Sequence, residues 1–317
     1  MSKKSHTNQH YVPQFYLRNF ANDNNGKSVS GFVLKSKKPI KHISIKETAS
    51  EKFYYGETGE IEKWFSRLEG IWKPIIHDII ERKTLPLNEN DYWELLYFVA
   101  LSEVRAFKYG TITNKILNGL LDLSYRFGTS DKQYEVIGHP ISSMDAYVLE
   151  NHDIYEKLVP TLLVNNTELE FLTSDNPCAK YNQFFVARNL NYYSIRHKGI
   201  QLFLPLSPHI CLCFYDGEVY RPCSDVENSV INIIEPSQIN ELNKLFLRNA
   251  DLMIYFSNSF NSDTVNELVS HHKFYQHEPC KKTQIPIVGI QMESINDYFD
   301  LRLFDVRNSF IKNCSPH

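Results

Sequence analysis

Apolar side chains at Ile61, Phe65, Leu68, Trp72, Ile75, Ile76 and Ile79 recur three or four positions apart. That spacing predicts one long helix starting near Glu60, with a stripe facing a core. Pro74 lies inside the stripe and predicts a bend, or a split near Gly70. Asn88 and Asn90 are both good N-caps for a second helix. Its apolar set, Trp93, Leu96, Tyr97, Ala100, Leu101, Val104 and Phe107, is nearly continuous, which predicts a central helix rather than a surface one. The run Ile116 to Leu123 extends the helical region toward Tyr125, and Ser142 to Leu158 reads as a further helix.

Elsewhere the period shortens. His10 to Phe20 mixes periods around Pro13 and predicts a short extended entry followed by a short helix. Asn22 to Gly26 is a turn cluster. Gly31–Leu34 and His42–Ile45, on either side of Pro39, predict a β-hairpin. Thr161–Val164 and Leu169–Leu172 flank Asn165-Asn166 and suggest a second hairpin. Gln201–Leu206 and Ile210–Tyr215 are two strands joined across Ser207-Pro208. Ser237 caps a predicted helix that runs to about Phe256, and Thr264 to His271 is a shorter one. Together these elements predict an α+β fold. A mainly helical part, residues 60–158, packs against an antiparallel sheet built from the N-terminal segment and residues 159–216, and a C-terminal helical pair covers the sheet. No linker divides the chain, so 1–317 is read as one domain with sub-regions 1–59, 60–158 and 159–317.

Composition narrows the function classes. With 34 Lys plus Arg against 37 Asp plus Glu, the chain has no global basic field of the kind that marks nucleic-acid binders. No window reaches the roughly 18 apolar residues that a membrane span requires, and the opening MSKKSHTNQH has no apolar stretch behind it. Six sparse cysteines fit free, mostly buried thiols in a cytoplasmic protein without a membrane partner. The signatures of P-loop, dinucleotide, zincin and α/β-hydrolase chemistry are absent.

Four groups of residues carry candidate chemistry. His10, Gln14 and Arg18 are four apart and share a helical face, where an imidazole, an amide and a guanidinium suit proton transfer and anion binding. Thr173-Ser174-Asp175-Asn176-Pro177 follows an apolar run. Asp175 there is a candidate base with Ser174 and Asn176 beside it, although the same letters also make an ordinary turn. Glu103 and Arg105 interrupt the central helix, with Glu69 and Glu94 in the same region, and buried charge persists where it is paired or used. Lys35, Lys37, Lys38, Lys41 and Lys46, followed by Phe53, Tyr54 and Tyr55, could track a phosphate backbone, although protection of an exposed edge strand is the stronger reading of a Lys-rich hairpin. His209, Cys211, Cys213 and Cys223 lack zinc-knuckle spacing, so no metal site is expected.

Several of these segments also resemble the DUF4238 family, a bacterial domain of unknown function. The resemblance is carried by His10-Tyr-Val-Pro-Gln-Phe-Tyr-Leu-Arg-Asn-Phe20, Ala49-Ser-Glu-Lys-Phe-Tyr54, Leu68-Glu69, Thr173–Pro177, Pro205-Leu-Ser-Pro208 and the helix with Asn240 and Asn243. Where members often open with two histidines, the first place here is Gln9. The resemblance implies a bacterial or phage-borne intracellular protein and supplies no activity or cofactor. From the residues, the expectation is a hydrolase, a nuclease or nucleotide-directed effector in stress or phage defence. In that reading His10, Asp175 and Glu103 are catalytic, and Gln14, Arg18, Arg105, Ser174 and Asn176 hold an anionic substrate. The alternative is a non-catalytic sensor or binding module with a protein partner.

Overall fold

The computed structural model describes residues 8–22, 25–86, 88–128, 141–188, 194–223, 229–257, 265–270, 283–285, 290–292 and 298–311. The chain enters through β1 (Asn8–His10), α1 (Gln14–Leu17) and a 3-10 turn over Arg18–Phe20. The strands β2 (Ser28–Val33), β3 (Lys38–Ser44) and β4 (Ser50–Lys52) follow. A helical block comes next: α2 (Glu60–Arg82), α3 (Glu89–Val104), α4 (Phe107–Arg126) and α5 (Ile141–Tyr155). The second half contributes β5 (Leu158–Asn165), β6 (Thr173–Ser174), β7 (Ala179–Tyr181), α6 (Gln183–Val186), β8 (Gln201–Ser207), β9 (Ile210–Asp216), β10 (Tyr220–Pro222) and β11 (Val230–Ile233). It continues with α7 (Pro236–Asn249), β12 (Met253–Phe256), a small β13–β14 ribbon (Thr283–Ile285 with Ile290–Met292) and β15 (Phe304–Val306).

The fold is α+β. Its centre is a five-stranded sheet in the order β11-β5-β9-β8-β7, antiparallel except for the parallel β11–β5 pair. Side chains alternate across this sheet with period two. Leu162, Val164, Leu202, Leu204, Leu206, Leu212 and Phe214 join the core made with α2, α3 and α5. Leu163, Phe203, Cys211, Cys213 and Tyr215 face the other way, into the core made with α7. A sheet covered on both faces has apolar side chains at successive positions, which is why Ile210-Cys-Leu-Cys-Phe-Tyr215 reads as an unbroken run.

Several expectations are met and others corrected. The α2 stripe turns inward at Phe65, Trp72, Ile75, Ile76 and Ile79, and the helix runs unbroken through Pro74. Asn88 is the N-cap of α3, its side chain accepting from the Asp91 amide at 2.8 Å. Within α3, Trp93 is 42 % exposed rather than in the core, because only the C-terminal part, Leu95, Leu96 and Phe98–Val104, is enclosed by neighbours. The β2–β3 hairpin forms, but Asn165-Asn166 does not turn a hairpin. Asn165 instead closes a local loop, accepting from Thr167 and donating to the Leu169 carbonyl, and β5 pairs with β9. The sheet material is also split. The N-terminal strands form a second sheet in the order β3-β2-β12-β6, not part of the first. β12 is the other half of that correction, since residues 253–256 were expected to continue the helix and instead form a central strand.

Candidate functional site

His10 ends β1, where it pairs with Ser50, and the Tyr11 amide bonds the Ala49 carbonyl at 3.0 Å. Pro13 then opens α1, so the entry is extended and then helical, as its sequence predicts. The face shared by residues 10, 14 and 18 forms. His10 Nε2 lies 3.1 Å from the Lys46 carbonyl, which can only accept, so Nε2 carries the proton and Nδ1 the lone pair. Gln14 Nε2 is 3.5 Å from that Nδ1, and Arg18 Nη2 donates to Gln14 Oε1 at 3.2 Å. Burial holds the imidazole below its ordinary pKa of 6.5 and the Arg105 charge adds to this, while the Lys46 carbonyl opposes it. His10 is therefore neutral near pH 7.

These three side chains line a cleft of about 350 Å³ whose other wall is α2, through Glu62, Ser66, Glu69 and Lys73. Those four positions are four, three and four apart, so they make a polar stripe along one side of the helix. The apolar stripe of α2 is the stronger signal in the sequence, but the same helical period sets this polar stripe beside it, and the polar stripe forms half the cleft.

Arg105 does not face this space. It is 2 % exposed, with Nε and Nη2 donating to the His10 carbonyl at 3.2 and 2.7 Å. Nε also reaches the Tyr55 hydroxyl at 3.1 Å, and Nη1 binds Glu69 Oε1 at 2.8 Å. Its guanidinium lies over the Phe65 ring, 3.8 Å from the centroid. Arg105, expected as a substrate anchor, instead fixes the main chain at His10 from behind and neutralises Glu69.

Glu103 does not line the cleft either. Its carboxylate accepts from the Tyr147 hydroxyl at 2.6 Å, from the Tyr155 hydroxyl at 3.0 Å and from the Lys180 ammonium. It thereby ties α3 to α5 and to β7. The second helical acid, Glu94, accepts from the Trp72 indole at 3.0 Å.

Asp175 is 1 % exposed and accepts from the backbone amides of Asp251, Leu252 and Met253 at 2.9, 2.6 and 3.2 Å. Ser174 Oγ bonds both the amide and the carbonyl of Asn176, and Asn176 exchanges bonds with Asn249. This segment clips the end of α7 to β12 and is absent from the lining of the cleft. Burial pushes the Asp175 carboxyl up to about 6 from 3.8, against the pull of the three amides. The native state thus keeps a proton that the unfolded chain releases, and this group's stabilising contribution is lost as pH rises from 3.8 through about 6. Asp175→Asn removes that titration. The stability of wild type relative to the variant should decline with rising pH across this window, as measured by urea unfolding. A pH-independent difference would mean the carboxyl is not shifted.

The cysteine set does not converge. Cys211 and Cys213 are buried on the α7 side of the sheet, Cys223 is exposed, and His209 lies 3.9 Å from Glu170. Among the described residues, no group of three or more His, Cys, Asp or Glu is placed to hold a metal ion.

The family described as "protein of unknown function (DUF4238)" matches residues 8–260 of the 317. The chain belongs to the DUF4238 family. No curated protein and no solved structure matches it. Several segments that carry the family resemblance are bonded to one another. Tyr16 donates to the Pro205 carbonyl at 2.6 Å and meets Thr173 Oγ1 at 2.6 Å, and Asn19 donates to the Leu206 carbonyl at 3.0 Å. Asn243 accepts from the Leu172 amide at 3.0 Å and donates to the Glu170 carbonyl at 2.8 Å. Much of the DUF4238 pattern in this chain is therefore a scaffold that presents the His10 cleft. Among the described residues no helix is long and apolar enough to cross a membrane.

Proposed function

We propose that this DUF4238 protein is a hydrolase of phosphate esters, acting on nucleotides or nucleic acid in the His10 cleft. One observation carries the reading: a neutral, oriented imidazole sits in a cleft that also presents Arg18 and Lys73, beside Glu62 and the Arg105-paired Glu69. In this mechanism the two cations hold the phosphate oxygens. His10 Nδ1, whose contact with Gln14 is long enough for a water to replace, takes a proton from that water. The water oxygen attacks phosphorus, the ester P–O bond breaks with its electrons on the leaving oxygen, solvent protonates that oxygen, and His10 returns its proton to solvent. Glu103, Asp175, Ser174 and Asn176 have no part in these steps, because each is engaged in the scaffold.

The test is a panel of nucleotides, RNA and DNA with wild type, His10→Ala and Arg18→Ala. Losing the base should lower turnover by about 10²–10⁴-fold. Losing the Arg18 charge should weaken substrate binding by roughly tenfold, or ~1.5 kcal/mol. The neutral imidazole is the active form, so the rate should fall on acidification with an apparent pKa below 6.5. A folded His10→Ala protein with full activity would remove His10 from the mechanism. The setting we propose is cytoplasmic bacterial stress or phage defence, read as growth arrest on expression that His10→Ala relieves.

The second reading, a nucleotide sensor, draws support from the same engagement of Asp175 and Glu103, which leaves His10 without a free partner acid from the sequence-predicted set. Saturable nucleotide binding without turnover by wild type would favour it.

A further inference from the structure

The β2–β3 hairpin does something unusual for an edge. Residues 35–42 are all exposed, so both faces of the outer part of β3 meet solvent. Lys35, Lys37, Lys38 and Lys41 lie in that stretch, Lys46 follows, and no Asp or Glu occurs between Gly31 and Lys46. The β2–β3 register shifts between Val29 and Gly31, and His42 opposite is held at φ 57°, a bulge of the kind that re-aims an edge strand. The strand does not end in empty solvent. Past Ser44 it delivers the Lys46 carbonyl to His10 Nε2, so the chain that carries the lysines touches a residue that lines the cleft.

We infer that this hairpin is a landing surface for single-stranded nucleic acid, which it leads by its phosphates toward the His10 cleft. The inference rests on the phosphoester reading of that cleft. From Lys38 to Ser44 the strand covers about 20 Å at roughly 3.3 Å per residue, long enough to track several phosphates. Phe53, 36 % exposed on the chain just after β4, offers a face for base stacking next to the ribbon that carries His10. Edge protection calls for charge along β3 itself and leaves Lys35 and Lys37, in the turn before it, without a role. A flat anionic membrane would meet a hairpin with one exposed large apolar residue, Ile40, and could not enter the cleft.

The experiment uses the full chain, a labelled oligo-dT and oligo-U of about 15 nucleotides, and the variant Lys35→Gln/Lys38→Gln/Lys41→Gln. Wild type should bind with an affinity that falls as salt rises. The variant should bind about tenfold or more weakly at low salt, and its log–log salt slope should be shallower by about 2, since each lost phosphate contact removes ~0.7. None of these lysines lines the cleft, so turnover of a mononucleotide should be unchanged. The inference is overturned if an equally stable variant keeps wild-type affinity and slope, or if wild type ignores both oligomers at low salt. Binding to phosphatidylserine vesicles in place of oligomers also overturns it. Lysine-dependent binding with no turnover refutes the hydrolase and leaves the landing surface standing; turnover with lysine-independent binding does the reverse.

Discussion

Arg105→Ala will destabilise the protein by roughly 3–5 kcal/mol, because it breaks a buried ion pair and leaves its partners behind. The lost fork serves the His10 carbonyl, the Tyr55 hydroxyl and Glu69 at once, from a site 2 % exposed to solvent. Glu69 is 23 % exposed at its side chain, so water can share its charge; the His10 carbonyl keeps the Tyr55 hydroxyl at 3.2 Å but loses both guanidinium donors, and the face of Phe65 loses its cation. Arg105→Lys should recover little, since a single ammonium cannot address three acceptors lying in different directions. Urea unfolding gives the number. A loss below about 1 kcal/mol, ordinary for an exposed substitution, would return Arg105 to the pool of substrate anchors. In a variant that stays folded, the imidazole of His10 should lose its fixed environment and titrate closer to 6.5, visible by NMR.

The second large effect is expected at Glu103. Replacing it by alanine removes the carboxylate that accepts from the Tyr147 and Tyr155 hydroxyls and pairs with the Lys180 ammonium, at a cost of about 3 kcal/mol or more. Glu103→Gln keeps an acceptor oxygen and should cost roughly half as much. The telling comparison is with activity measured below the melting transition. If Glu103 only joins α3 to α5 and β7, Glu103→Gln retains turnover per folded molecule. A thousand-fold fall in a folded Glu103→Gln protein, the size expected for a lost acid or base, would restore it as a catalytic group.

How far the sequence could be read differs by the range of the forces involved. The α2 stripe and the β2–β3 hairpin depend on neighbours a few positions away, and both are legible. Met253–Phe256 is not. Its apolar letters continue the period of α7, and what stops the helix is Asp175, more than seventy residues upstream, whose carboxylate takes the amides of 251–253. Likewise nothing near Asn165 indicates that β5 will choose β9 about fifty residues later over the run beside it. The candidate site shows the same division. The 10/14/18 face was visible as spacing, whereas charge inside an apolar helix announced that Glu103 and Arg105 were used without saying for what. Both serve as ties between elements, and only the partners, distant in the chain, could reveal it.

The bonds from Tyr16 and Asn19 to the carbonyls of Pro205 and Leu206 also set an order of events during synthesis. The wall of the cleft that carries Gln14 is made well before the strand that seats it, which comes nearly two hundred residues later. At about 5–20 residues per second, the ribosome needs on the order of 10–40 s to supply that seat. Until then α1, four residues long, is far too short to hold its own shape. A nascent or truncated chain that stops before β8 therefore has the letters of the site without its geometry. On the proposed phosphoesterase reading, activity waits for β8: the cleft cannot work until the strand that seats α1 has been translated.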